Sequence, residues 1–130
     1  MHAASETLVL EKIEKRLTSG VIGRSSWNNE LWQTIDSTNS RAAQLAAEGA
    51  PEGVIVLARQ QTAGRGRLGR VWVSPPDAGI YLSVILRPAE LLPAELALIT
   101  LAVGVAVSSA IERCAGVKVG LKWVNDLVFE

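Results

Sequence analysis

Val54-Ile55-Val56-Leu57-Ala58-Arg59-Gln60-Gln61-Thr62-Ala63-Gly64-Arg65-Gly66-Arg67-Leu68-Gly69-Arg70-Val71-Trp72 is the stretch on which the fold turns. Its first five residues are apolar and largely β-branched, and the run is short, so it reads as a buried strand. Gly64, Gly66 and Gly69 then reproduce the spacing G-x-G-x-x-G. A dinucleotide-binding fold needs those glycines in a tight turn leading straight from strand into helix. Here Arg59 to Thr62 separate the strand from the glycines, and Val71-Trp72-Val73-Ser74-Pro75-Pro76 afterwards is no helix. No Gly-Lys-Ser/Thr follows either, which removes the phosphate loop of nucleoside triphosphatases. What remains is a mobile loop. Its glycines give backbone freedom, and Arg65, Arg67 and Arg70 give planar guanidinium forks suited to phosphate or carboxylate oxygens. From these residues alone an anion site, a nucleic-acid contact and a plain solvated loop all stay open. RNA-binding Arg-Gly segments usually repeat and add aromatic platforms, whereas this one occurs once.

The flanks supply the architecture. Toward the C-terminus, Ile80 to Leu86 is a second strong strand, and Pro93 suits the first turn of a long helix ending near Cys114, with Gly116 as its C-cap. Val117 to Trp123 is a third strand, Asn125-Asp126 a turn, and Leu127-Val128-Phe129 the start of a fourth. Toward the N-terminus, Leu31 to Ile35 is a strand and Asp36-Ser37-Thr38-Asn39 is dense in N-capping residues. An Ala-rich helix follows to Glu48, stopped by Gly49 with Pro51 just beyond. Val9, Ile13 and Leu17 form one face of a helix over Glu6 to Leu17, broken by Gly20 and Gly23. Helices alternating with strands, two of them joined by a turn, predict an α+β fold with a mixed sheet flanked by helices. The uncharged run Leu96 to Ile111 falls short of the roughly 20 residues that span a bilayer, so it is expected to be a buried helix rather than a membrane segment.

Composition narrows the chemistry. One hundred and thirty residues, 48% hydrophobic and 20% charged, suit one folded domain. Thirteen Lys+Arg balance thirteen Asp+Glu, which argues against a wholesale binder of polyanions. The balance conceals a local excess: Val54 to Pro76 holds Arg59, Arg65, Arg67 and Arg70 and no acidic residue. The only histidine is His2, which nearly excludes histidine-based triads and metal sites. The only cysteine, Cys114, rules out an internal disulfide and a thiolate zinc cluster. No basic start and apolar run mark a signal peptide, and a cytoplasmic location is expected.

Two further clusters carry polar chemistry. Ser37-Thr38-Asn39 offers donors and acceptors at a helix start, and ordinary capping would explain it if it stood alone. Lys122-Trp123-Val124-Asn125-Asp126 sets a cation, an indole, an amide and a carboxylate at a strand end, and a turn with a structural tryptophan would explain that.

Taken in order, Asp36-Ser37-Thr38-Asn39, Gln61 to Arg70 with Trp72, and Lys122-Trp123-Val124-Asn125-Asp126 resemble the motifs of the biotin protein ligase family. Gly79-Ile80-Tyr81-Leu82-Ser83 is similar to the strand after that family's loop. The resemblance covers about residues 31 to 130. It implies a fold like the catalytic domain of class II aminoacyl-tRNA synthetases, shared by biotin and lipoate ligases and here incomplete at the C-terminus. Residues 1–25 would be an N-terminal helix and linker, and 26–130 the N-terminal part of the catalytic domain.

The implied reaction forms biotinyl-5′-AMP from biotin and ATP with Mg2+, then passes biotin to a lysine of a carboxylase carrier domain. By the same resemblance Arg65 and Arg67 are the catalytic cations, offsetting the repulsion between carboxylate and α-phosphate. Ser37, Thr38, Asn39, Gln61, Arg65, Gly66 and Arg67 would bind biotin. Gly64, Gly66, Gly69, Arg70, Trp72, Lys122 and Asn125 would bind the nucleotide, with Trp72 flanking adenine and Asn125 reading its edge. No metal ligands are assigned. Val124 stands where the family most often has proline, which costs only backbone stiffness. The family's catalytic lysine is expected beyond Glu130, and the segment before Ser37 is too short for a winged-helix domain, so no DNA partner is expected, and no membrane. Lipoate ligase chemistry is the close alternative. A nucleic-acid module built on the Arg-Gly loop is the more distant one.

Overall fold

The computed structural model describes residues 2–123 and 126–129, in two compact units, Met1–Arg87 and Pro88–Glu130. In the first unit the order is α1 (His2–Arg16), β1 (Glu30–Trp32), α2 (Thr38–Ala47), β2 (Ile55–Ala58), β3 (Gln61–Arg65), β4 (Val71–Ser74) and β5 (Tyr81–Val84). The sheet order is β1-β2-β5, with β1 parallel and β5 antiparallel to β2. This is the mixed sheet expected from the alternation of helices and strands.

Helix α2 forms because both ends are specified. Ser37 is its N-cap, in extended conformation at φ −158°, and its hydroxyl accepts from the Ser40 amide. The helix stops with Glu48 as C-cap, and Gly49 follows at φ +97°, where a side chain would be strained. Ala42, Leu45 and Ala46 recur at helical spacing, and that face packs with Ala50, Val54, Val56 and Ile85 as the core. Asn29 braces the other side. Its Oδ1 accepts from the Ile55 amide at 3.0 Å, and its Nδ2 donates to the Gly23 carbonyl and to Glu14 Oε1. A buried amide thereby ties α1, the segment after it and β2.

The segment expected as a mobile loop is instead a hairpin. β3 and β4 pair antiparallel, Gly64 opposite Trp72 and Arg65 opposite Val71, around a 3₁₀ turn at Arg67–Gly69. Thr62 N and Ala63 N also donate to the carbonyls of Ile35 and Asp36, both at 2.9 Å or less. The small polar residues Thr62, Ala63 and Gly64 show no hydrophobic alternation, yet a ladder requires only backbone donors and acceptors.

In the second unit a 3₁₀ turn, Pro93–Glu95, leads into α3 (Leu96–Ala115), which ends on Gly116 at φ +68°. β6 (Gly120–Lys122) and β7 (Asp126–Val128) form an antiparallel hairpin, shorter than the strand expected over Val117 to Trp123. Of the turn expected at Asn125-Asp126, Asn125 lies outside the described residues, and Asp126 is instead the first residue of β7. The expected buried helix is corrected: no residue of α3 is buried. Two three-residue strands reach about 10 Å, whereas a twenty-residue helix is about 30 Å long. The helical stretch Pro93–Ala115 also runs past both ends of the uncharged segment, so by length and composition alone it is long enough to cross a membrane. Its packing is that of a helix on a sheet: Gly104 lies against Leu121, and Ser108 Oγ donates to the Val119 carbonyl.

Candidate functional site

The first turn of α2 and the start of β3 meet in one hydrogen-bonded cluster. Gln61 Oε1 accepts from the Thr38 amide at 2.8 Å and from the Thr38 hydroxyl at 3.1 Å. Gln61 Nε2 donates to Ser74 Oγ at 3.0 Å, and Ser74 Oγ donates to the Trp72 carbonyl. The Thr38 hydroxyl also meets Ser83 Oγ at 2.9 Å. Thr38 and Ser74 are buried, and their polar groups avoid the cost of desolvation through Gln61, while the buried Ser37 hydroxyl accepts from the Ser40 amide. Asn39, by contrast, is exposed.

Gly64 is buried in this cluster for a steric reason. A Cβ there would lie 2.5 Å from the Trp72 carbonyl and 2.9 Å from Ser74 Oγ. The glycine thus lets the two strands close over Gln61. Gly69 has a different reason, φ +73°, and the preceding Leu68 shares the left-handed conformation at φ +58°. The tip is fastened by the Gly66 amide on the Arg70 carbonyl at 2.8 Å and the Arg70 amide on the Arg67 carbonyl at 3.3 Å.

Of the four arginines in the acid-free window, Arg59 is withdrawn from any anion site. It binds Asp77 through Nε and Nη2 at 2.8 and 2.7 Å; Asp77 stands one residue beyond that window. Arg65 reaches back to α2, where its Nη2 donates to Ser40 Oγ. Arg67 and Arg70 are exposed at the hairpin tip, and Trp72 is exposed on β4. Behind α2, Arg41 grips Glu30 at 2.6 and 2.9 Å, and the Trp32 indole donates to the same carboxylate. The hydrogen bonds from Arg41 hold the Glu30 carboxyl below its ordinary value, outweighing the opposing effect of burial.

The structure therefore brings together Ser37, Thr38, Gln61, Gly64 and Arg65 from the expected set. Lys122 belongs to the second unit, where with Leu101, Gly104, Leu121, Trp123 and Asp126 it lines a groove of about 320 Å³. Asn125 lies outside the described residues. Sequence reading missed Ser40, Ser74 and Ser83. Ser83 alone left a trace, as the one polar residue within the apolar strand Ile80 to Leu86 apart from the Tyr81 hydroxyl. Among the described residues no group of three or more His, Cys, Asp or Glu is placed to hold a metal.

Chemically, the arrangement is a neutral hydrogen-bonding cluster with a guanidinium beside it. It suits a ligand with an uncharged hydrogen-bonding head and an anionic end.

A model of the biotin/lipoate A/B protein ligase family matches residues 31–130. The chain is 46% identical over 94 residues to the bifunctional ligase/repressor BirA of Bacillus spizizenii, covering 72% of this chain and 29% of that protein. It is 36% identical over 125 residues to the biotin–[acetyl-CoA-carboxylase] ligase of Mycobacterium tuberculosis, covering 88% of this chain and 46% of that protein. The structure is similar to the biotin protein ligase of Aquifex aeolicus in complex with biotin and ATP, at TM-score 0.67 and 37% identity, covering 80% of this chain and 43% of that one. The chain thus spans less than half the length of each of these relatives.

Proposed function

The chain belongs to the biotin/lipoate A/B protein ligase family, and on that premise we propose that it supplies the N-terminal part of a biotin protein ligase site. In this reading biotin and ATP form biotinyl-5′-AMP, and biotin then passes to a lysine of a carboxylase carrier domain. The observation that carries it is the junction of α2 and β3, where Thr38 and Gln61 are locked together while Arg65 is held on Ser40. Biotin's ureido ring is neutral and polar, and its burial needs partners of the kind that Ser37, Thr38, Asn39 and Gln61 offer.

The reacting groups are both anions. Arg65 and Arg67 offset their repulsion at the carboxylate and α-phosphate and act as the catalytic cations. By the family's motifs Gly64, Gly66, Gly69, Arg70 and Trp72 of the first unit are read as nucleotide-binding residues, as are Lys122 and Asn125 in the sequence of the second. Magnesium would enter with ATP and offset phosphate charge; no residue of this chain is assigned to hold it. Residues 1–25 are read as an N-terminal helix and linker, and 26–130 as the N-terminal part of the catalytic domain. A cytoplasmic setting without a membrane fits the lone free thiol of Cys114 and the packing of α3 on its strands.

The test is ATP–pyrophosphate exchange by the full-length gene product with biotin or with lipoate. Biotin-dependent exchange is expected, and exchange with lipoate alone would replace this reading by lipoate ligation. The 130-residue chain by itself is expected to biotinylate a carrier domain little or not at all.

A further inference from the structure

Ser83 is a polar residue where the sheet calls for an apolar one. It pairs across the ladder with Val56, and cross-strand partners share a face. Val56 is fully buried in the core beneath α2. A serine on that face breaks the apolar pattern of its strand, and such a break needs a compensating partner. The partner is Thr38, at 2.9 Å between the two hydroxyl oxygens.

The direction of every proton in the cluster follows from three facts. The Thr38 amide can only donate, so the oxygen of the Gln61 amide faces it and the nitrogen faces Ser74. The Gln61 oxygen can only accept, so the Thr38 hydroxyl spends its single proton there. The contact between Thr38 and Ser83 is then a hydrogen bond only if Ser83 donates. The chain of donation runs from Ser83 to Thr38 to Gln61, and from Gln61 through Ser74 to the Trp72 carbonyl.

This count fixes what is left over. Both lone pairs of the Gln61 oxygen are used. One lone pair remains on Thr38, one on Ser74 and two on Ser83, and one N–H remains on Gln61. A cyclic urea carries two N–H donors and one carbonyl acceptor, and that remainder holds an acceptor for each N–H and a donor for the carbonyl.

Resting on the reading of this site as a biotin pocket, we propose that Ser83 is a positioning residue for ureido recognition. Its hydroxyl holds the Thr38 rotor so that Thr38 donates to Gln61 and presents a lone pair rather than a proton. Removing the Ser83 proton frees Thr38 to turn, and the ligand must then fix that rotor itself.

The test uses the full-length gene product and titration calorimetry with biotin and, separately, with ATP. Ser83→Ala is expected to weaken biotin about fivefold, the net effect of one hydrogen bond, and to leave ATP affinity unchanged. Ser83→Thr keeps the hydroxyl and suits a strand, and is expected to restore biotin affinity to within about twofold. If Ser83→Ala does not fold, Ser83→Cys, close in size and a weak donor, takes its place with an intermediate loss expected. Equal biotin affinity in wild type and Ser83→Ala would overturn the positioning role alone. So would an equal loss of biotin and ATP affinity, or failure of Ser83→Thr to recover. A wild-type protein that binds no biotin would instead overturn the reading of the pocket, and the role of Ser83 with it.

Discussion

The side-chain oxygen of Gln61, on β3, closes the first turn of α2 by accepting both the amide and the hydroxyl of Thr38, twenty-three residues earlier in the chain. The first amides of a helix have no partner within it, and here a distant strand supplies one. Gln61→Leu keeps much of the volume but orphans the buried Thr38 amide and removes the donor to Ser74. It is expected to destabilise the chain by about 1–3 kcal/mol, read from denaturant midpoints at unchanged slope. Gln61→Glu retains an acceptor for Thr38 and is expected to cost less than Gln61→Leu; the reverse order would show that packing, not the hydrogen bonds, sets the effect.

Gly64→Ala tests whether the glycines serve the strands or only the loop. The new Cβ would lie 2.5 Å from a backbone carbonyl, so β3 and β4 must part. Overpacking of this kind costs about 1–3 kcal/mol. Gly20→Ala, with nothing within 4 Å, is the control and is expected to be neutral. Thermal unfolding of the two variants against wild type decides it.

What the sequence displayed and what it hid divide along physical lines. Local signals were legible: Ser37 caps α2, Gly116 ends α3, and Val54 to Ala58 holds the central strand because these depend on neighbours in the chain. The hairpin was not, because Gln61 to Arg65 pairs through its backbone and carries no alternation of side chains. The charge of the arginine window was overstated for the same kind of reason: Asp77, which neutralises Arg59, reaches it through the turn before β5. The site residues taken from motif resemblance met in space at Thr38, Gln61 and Arg65, while the serines that orient them had no motif to announce them.

Glu30 and Arg41 give a pH prediction. The folded carboxyl lies below its ordinary 4.5, first because Arg41 donates hydrogen bonds to it. The folded state therefore takes up that proton less readily than the unfolded chain. The pair's stabilisation is complete above the ordinary value and is lost as pH falls through the lower folded one. Glu30→Gln is expected to cost about 1 kcal/mol at neutral pH. Its stability difference from wild type should stay constant from neutrality down to about pH 5 and shrink below the ordinary glutamate range. Denaturation across that range checks it, and a gap that widened on acidification would contradict the assignment.

The hairpin tip holds stored strain at Leu68, a residue 91% exposed that sits at φ 58° and ψ 34°. A left-handed conformation costs an ordinary residue roughly 1 kcal/mol or more, whereas glycine and asparagine adopt it readily. The exposed leucine makes little packing to lose. Leu68→Asn is thus expected to strengthen the tip by about 0.5–1 kcal/mol. Leu68→Gly should give a smaller gain, because glycine also loosens the unfolded chain. Leu68→Ala, which keeps the Cβ, should give none. The local readout is hydrogen exchange at the Gly66 and Arg70 amides, which fasten the tip. Slower exchange in Leu68→Asn but not in Leu68→Ala is the expected pattern. Equal exchange in both would mean that the turn is not strained at this residue. If the arginines flanking the tip work from a fixed hairpin, Leu68→Asn should also leave biotin-dependent exchange activity intact; a fall in activity would show that the tip must open during turnover.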